Sequence, residues 1–290
     1  MSSNYEAVAA PGLSAAALVR FFKFITKELG IKMSDAKLPM LQSRLQRRLR
    51  TLGLNSLDEY QERLFNSRHS EEERVHFIDA ITTNKTDFFR EPKHFDYLVQ
   101  TALPNLDVNQ SKSGTGSLWR FKLWCAGCSS GEEPYTLAMV LSEFAAHRPG
   151  FDFSLLATDV STKVLEHAKV GIYHEDRIEP VTAALRTKYL LRSKSRIAAQ
   201  VRIIPELRRR ICFHRLNFMD ASYGVEDMFE VIFFRNVMIY FDKPTQEAVI
   251  NKLCCNLLPG GYLFVGHSES LAGLNLPVTA VASAIYRKPL

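Results

Sequence analysis

With 290 residues, 46% hydrophobic and 23% charged, the chain falls in the ordinary globular range and has the length of about two domains, which excludes a low-complexity or fibrous chain. No window approaches the roughly 20 uncharged apolar residues of a membrane span, and MSSNYEAVAAPG lacks the basic start and apolar run of a signal peptide, so membrane insertion is not expected and a cytoplasmic location is. The net charge is +6, while residues 20–50, with nine Lys or Arg against Glu28 and Asp35, carry +7 alone; an acidic partner is expected there, be it nucleic acid, anionic lipid or acidic protein.

In chain order, residues 1–12 read as a disordered tail. From 13 to 81 the apolar residues recur at helical spacing, as in Leu38, Leu41, Leu45, Leu49 and Leu52, with Gly53 placed to stop that helix and Ser56 to cap the next. This part reads as an all-helical domain. Residues 82–117 read as a linking segment, ending in the polar stretch DVNQSKSGTGS. From 118 to 290, short apolar runs (FKLWCAG, FSLLATD, ICFHRLN, EVIFFRN, GGYLFVG) alternate with amphipathic stretches, the pattern of a parallel α/β sheet covered on both faces. Gly260-Gly261 reads as a helix stop before the last strand. Residues 172–210, basic and broken, fit the alternation poorly and suggest an inserted subdomain. The five cysteines, odd in number, suit reduced thiols rather than a disulfide framework; Cys125-x-x-Cys128 has no second pair to complete a zinc site, and no metal is expected.

The chemistry concentrates at strand ends. LWCAGCSSGEEPYTLA runs from a strand through a glycine turn into a helix from about Glu132, a place where backbone N–H groups meet a nucleotide-like ligand. Two glycines followed by Glu132 and Glu133 do not make a dinucleotide fingerprint; a carboxylate there suits the ammonium of an amino-acid-like cofactor, and equally caps the helix. Asp159, one βα unit later, stands where ribose hydroxyls are bound, although an acid before Ser161 and Thr162 also serves as a cap. Asn84, Thr86 and Arg90 in ITTNKTDFFREPKHF offer a guanidinium clamp with neutral hydrogen bonds, or a capped linker. Arg235 and Asn236 end the strand EVIFFRN and need partners; Tyr240 reads as either core or site, and His267 as structural.

Taken together, TTNKTDFFRE, GCSSGEEPYTLA, ATDVSTKVLEHAKVGIY, RNVMIYFDKPTQE and LLPGGYLFVGHSES, in that order and spacing, resemble the CheR family of chemotaxis methyltransferases over essentially the whole chain. The resemblance implies an α/β fold: an N-terminal all-helical domain, then a Rossmann-like S-adenosylmethionine-dependent methyltransferase domain with a small inserted antiparallel β subdomain. It places the cofactor, S-adenosyl-L-methionine or its product S-adenosyl-L-homocysteine, against Asn84, Thr86, Arg90, Glu133, Asp159, Asn217, Phe218, Arg235 and Asn236, with Arg90 and Tyr240 at the transferred methyl. It implies protein-glutamate O-methylation of a chemoreceptor cytoplasmic helical domain; no nucleic-acid partner is expected, and a monomer is, since two cores account for the apolar patterns. Lys37, Arg44, Arg47 and Arg48, grouped on one helix face opposite the leucines, are the expected receptor contacts. The segment RSKSRIAAQ lacks the glycines looked for in members that tether a receptor peptide. The rivals are nucleic-acid methylation, permitted by charge but without aromatic residues interleaved with it, and a non-catalytic adaptor that keeps the fold.

Overall fold

The computed structural model describes residues 15–112, 118–194 and 199–290; the expected N-terminal tail lies outside the described residues. The first unit is helical: α1 (Ala15–Leu29), α2 (Leu38–Leu52), α3 (Leu57–Phe65) and α4 (Ser70–Ile81). Leu38, Leu41, Leu45 and Leu49 face a core shared with Phe21, Tyr60 and Phe77. Gly53, at φ +66°, closes α2 as a left-handed cap, and Ser56 accepts Glu59 N–H at the start of α3, both as the spacing predicts.

The linking segment differs from expectation. Residues 93–112 form α5 (Lys93–Tyr97), a π turn (Leu98–Ala102) and α6 (Leu103–Lys112), so the helix runs into the stretch that polarity marks as loop. Phe95, Leu98, Leu103 and Leu106 are buried in the same core as the first strand, which makes this helix part of the second domain rather than a linker.

That domain carries β1 (Trp119–Ala126), α7 (Glu132–His147), β2 (Phe151–Asp159), α8 (Thr162–Val170), β3 (Ile172–His174), α9 (Ala183–Tyr189), β4 (Leu190–Arg192), β5 (Gln200–Ile203), α10 (Pro205–Arg208), β6 (Ile211–Arg215), β7 (Phe229–Phe234), α11 (Lys243–Cys255), β8 (Leu257–Val265), β9 (Thr279–Ala282) and β10 (Ile285–Arg287). The seven-stranded order is β6-β2-β1-β7-β8-β10-β9, parallel from β6 to β8. The two edge strands are antiparallel, a hairpin too short and too mixed in composition to be read from hydropathy. Gly260 and Gly261 do not stop a helix: α11 ends at Cys255 and both glycines lie inside β8, where Gly260 at φ +74° accompanies a register shift against β7. The inserted region is the antiparallel sheet β3-β5-β4.

Chain order reverses between β1 and β7, so the loops after these strands diverge and leave a crevice at their carboxyl ends. Beneath it Phe233 stacks on Phe264 at 4.4 Å, and the His94 ring meets Phe264 edge-on at 5.6 Å. Arg235 Nη1 donates to His94 Nδ1 at 3.1 Å, so the imidazole is neutral with its proton on Nε2. Burial first, and the Arg235 charge second, lower the His94 pKa to about 4. Between that value and the ordinary 6.5 the unfolded chain binds the extra proton, so this site removes stability as pH falls through that window. Urea unfolding at pH 4.5 and 7 is expected to show a loss that His94→Gln reduces by up to roughly 3 kcal/mol; an unchanged pH slope in the variant would refute the assignment.

Candidate active site

The glycine turn after β1 is built for close approach. Gly127, at φ +85°, and Gly131, at φ +100°, have no room for a side chain: a Cβ would lie 2.5 Å from Val237 Cγ2 or 2.6 Å from Tyr173 Oη. Gly127 N and Cys128 N both donate to Thr158 O, tying the turn to β2, and Ser129 N donates to Asp159 Oδ2 at 2.9 Å. Asp159 Oδ1 accepts Ser161 N at 3.0 Å. Burial pushes the Asp159 pKa up, and these N–H bonds pull against it. Ser161 Oγ, not Asp159, caps α8, accepting Val164 N.

Neighbouring carboxylates at the start of α7 part company. Glu132 turns to the β subdomain, bound to Arg177 Nη2 at 2.8 Å and Ser130 Oγ at 2.6 Å. Glu133 turns to the crevice, where Cys125 Sγ donates to Oε1 at 3.3 Å and Arg235 Nε lies 2.8 Å from Oε2. Arg177 also donates to Thr86 O, so the β subdomain holds the segment that carries Thr86 and Arg90.

One cleft of about 380 Å³, within the roughly 300–1,000 Å³ of small-molecule sites, is lined by Asn84, Thr86, Arg90, Glu133, Asp159, Asn217, Phe218, Arg235, Asn236 and Tyr240. The structure thus gathers every cofactor and methyl-site residue expected from sequence. Their tasks differ. Arg235 is 4% exposed and already engaged with Glu133, Arg90 O at 2.7 Å and His94, so it orders the wall more than it reaches into the cleft. Asn217 spends its amide on Glu28 O at 2.6 Å and Met219 N at 3.1 Å. Arg90 bonds only Lys85 O, at 3.2 Å, and has no carboxylate partner among the described residues. Tyr240 is half-buried; burial raises its pKa against the pull of Arg90 and Arg44, so the phenol stays protonated.

The four expected receptor contacts separate as well. Lys37 and Arg44 line the cleft from the helical domain, and Arg47 is exposed. Arg48, however, makes a two-pronged pair with the buried Glu73, Nε to Oε1 and Nη2 to Oε2, each 2.8 Å. Arg44 donates to Ile81 O and, at 2.8 Å, to Thr82 O at the end of α4. Periodicity places these side chains on a helix face but cannot show a buried acid recruiting one of them.

Sequence reasoning overlooked Ser129 and Glu91. Ser129 lies in the quoted turn and holds Asn84 O through Oγ at 3.1 Å. Glu91, at φ +57°, accepts His267 N at 3.3 Å and Asn236 Nδ2 at 3.4 Å. Burial raises its pKa, but the Arg235 charge and these bonds outweigh that and the net shift is down. Glu91, His94 and His267 bring donor atoms within 4.8 Å of one another, yet the Arg235 guanidinium against His94 opposes a cation there.

Two family descriptions divide the chain between them: "CheR methyltransferase, all-alpha domain" over residues 16–82 and "CheR methyltransferase, SAM binding domain" over 84–286. Among curated proteins, a chemotaxis protein methyltransferase of Borreliella burgdorferi is 40% identical over 272 residues, covering 93% of each chain. That of Escherichia coli is 36% identical, covering 94% of this chain and 91% of its own. A chemotaxis protein methyltransferase 2 of Pseudomonas aeruginosa is 36% identical over 89% and 87%. A glycine-turned cleft without a dinucleotide fingerprint, in a chain that both family descriptions cover from residue 16 to 286, places the chain in the CheR family of S-adenosylmethionine-dependent chemotaxis methyltransferases.

Proposed function

We propose that the chain transfers the methyl of S-adenosylmethionine to glutamate carboxylates on the cytoplasmic helical domain of a chemoreceptor, giving the methyl esters used in sensory adaptation. The observation that carries this reading is Arg90, a guanidinium in the cleft with no carboxylate partner among the described residues, the group that holds an incoming carboxylate. A hydroxyl, thiol or ammonium acceptor would have to lose a proton to a base, whereas a glutamate is ionised at neutral pH and needs none. S-adenosylmethionine, when bound, supplies an electrophilic methyl on a sulfonium. What remains for the protein is to hold a weak nucleophile in line and keep water out. Asp159 suits the ribose hydroxyls, Glu133 the ammonium, and Phe218 the adenine face; Arg90 and the protonated Tyr240 phenol border the transfer point.

Lys37, whose Nζ donates only to Lys32 O at 2.7 Å, and the exposed Arg47 supply positive charge unpaired with an acid among the described residues; Lys37 Nζ stands 5.9 Å above the Tyr240 ring. They suit an acidic receptor helix. No helix is long and apolar enough to cross a membrane among the described residues. A cytoplasmic monomer meeting the inner part of a receptor is the arrangement proposed; nucleic acid is the poorer partner, because the basic residues are not interleaved with stacking aromatics.

Calorimetric titration with S-adenosylhomocysteine is expected to give binding that Asp159→Ala weakens roughly 10–100-fold, the worth of a charged hydrogen bond. In radiolabelled methyl transfer to a receptor fragment, Arg90→Ala is expected to remove most of kcat; full turnover would sink its role, and binding without any transfer by the unaltered chain would favour an adaptor. Lys37→Glu with Arg47→Glu is expected to raise the receptor KM in a salt-dependent way with Tm unchanged. Arg48→Ala should instead lower stability by roughly 1–3 kcal/mol, because it leaves the buried Glu73 carboxylate with only Tyr60 Oη at 2.8 Å and Arg63 Nε at 3.6 Å; a raised KM with unchanged Tm would reverse that division.

A further inference from the structure

The segment FVGHSES after β8 carries a side chain to which the reaction assigns no task. Glu269 is 7% exposed and has no cationic partner among the described residues. Its carboxylate is committed to backbone: Oε2 accepts Asn236 N at 2.8 Å and Gly266 N at 2.7 Å, and Oε1 accepts Ile239 N at 3.3 Å. These N–H groups belong to the turn after β7, to the end of β8, and to the 3-10 turn Met238–Tyr240. Asn236 stands at φ +59°, a left-handed conformation that costs a non-glycine residue about 1 kcal/mol and persists only where its surroundings over-determine it. Gly266 is part of the same joint: a Cβ there would lie 2.4 Å from Asn236 Nδ2 and 2.9 Å from Glu269 Oε2.

We propose that Glu269 is a positioning residue for methyl transfer, whose carboxylate fixes the turn from Asn236 to Tyr240 and so sets the Tyr240 phenol in the cleft with Arg90. The inference rests on the reading of Tyr240 given above. A carboxylate is the group the joint requires, since N–H donors converge on it and only an ionised acid offers acceptors at both oxygens; an amide turns a donor towards one of them. On the far side, Lys32 N donates to Tyr240 O at 2.8 Å, so the turn is gripped by Glu269 from the loop after β8 and by the helical domain from the other side. The negative charge of Glu269 also adds to the burial that keeps the Tyr240 phenol protonated.

The test compares Glu269→Gln, Tyr240→Phe and the double variant in the full chain by three measurements. These are S-adenosylhomocysteine affinity, kcat and KM for methyl transfer to a receptor fragment, and amide hydrogen exchange over residues 236–241. Glu269→Gln is expected to lower kcat roughly tenfold, the scale of losing alignment at a reacting group. It should leave the affinity for S-adenosylhomocysteine within about threefold, because one oxygen still holds Asn236 and Gly266. The Ile239 amide should exchange faster, and in the Tyr240→Phe background the substitution should add little further loss. Should Glu269→Gln not fold, Glu269→Asp, which keeps the acceptors and shortens the reach, carries the same comparison. If Tyr240→Phe is impaired while Glu269→Gln keeps full kcat, or if the two losses multiply, the inference is overturned and the reading of Tyr240 stands. If Tyr240→Phe itself turns over at the unaltered rate, both fall.

Discussion

A guanidinium buried at the carboxyl end of the middle strand must have its charge matched, and the way Arg235 is matched dictates the shape of the cleft. Its partners come from three separate pieces of chain: Glu133 at the head of α7, Arg90 O in the connecting segment, and His94 at the head of α5. Phe95 and Phe233 lie within 5.4 and 5.7 Å of the charge and seal it from water. Removing Glu133 would leave a buried charge short of its compensation, a cost of several kcal/mol, and losing either neutral partner would cost a hydrogen bond to that charge, so all three walls are held to one geometry. Arg90, whose guanidinium has no acid partner among the described residues, is thereby carried on a backbone that Arg235 itself fixes.

The helical domain belongs to the same construction. Asp79, in α4, accepts Ser161 Oγ at 2.7 Å, Thr162 Oγ1 at 2.8 Å and Lys163 N at 3.3 Å, so it clasps the start of α8 two residues beyond Asp159. Glu28 O takes the Asn217 amide and Lys32 N meets Tyr240 O. Each contact falls on a segment that carries a cleft residue. Displacing the helices would therefore disturb Asp159, Asn217 and Tyr240 together, and by linkage whatever binds the cleft also stabilises the docked arrangement.

Much of this was legible before any coordinates. The central strands announce themselves because a parallel strand covered on both faces has no reason to alternate, so EVIFFRN and FSLLATD read as continuous apolar runs ending in polar residues that line the cleft. The residues that the resemblance assigns to the cofactor and methyl site all line the one cleft. The misses share one cause, information held in contacts distant along the chain. Nothing near Arg48 reveals that Glu73, 25 residues on, will be buried and claim it. The helix over 103–112 looks like a linker because its composition is polar, and only its inner residues Leu103 and Leu106, pressed on the sheet, declare otherwise. The hairpin of β9 and β10 is an edge, where one face meets solvent and composition carries little signal.

The pair Glu132-Glu133 shows how local sequence and distant contact divide the work. Both acids suit the first turn of a helix, so their presence follows from the dipole and free N–H groups there and says nothing of function. A turn of about 100° per residue sends them to different sides, one towards Arg177 and the inserted sheet, the other towards Arg235 and the cleft. Glu133 is not consumed by these contacts: a carboxylate has about four acceptor positions, and here Cys125 and Arg235 approach one oxygen each. The ammonium of the proposed cofactor, arriving from the cleft side, would thus join an acid whose orientation Arg235 and Cys125 already fix. Glu132, with Arg177 and Ser130 on its two oxygens and only 2% exposed, has no such opening; its work is to fasten the inserted sheet to the glycine turn.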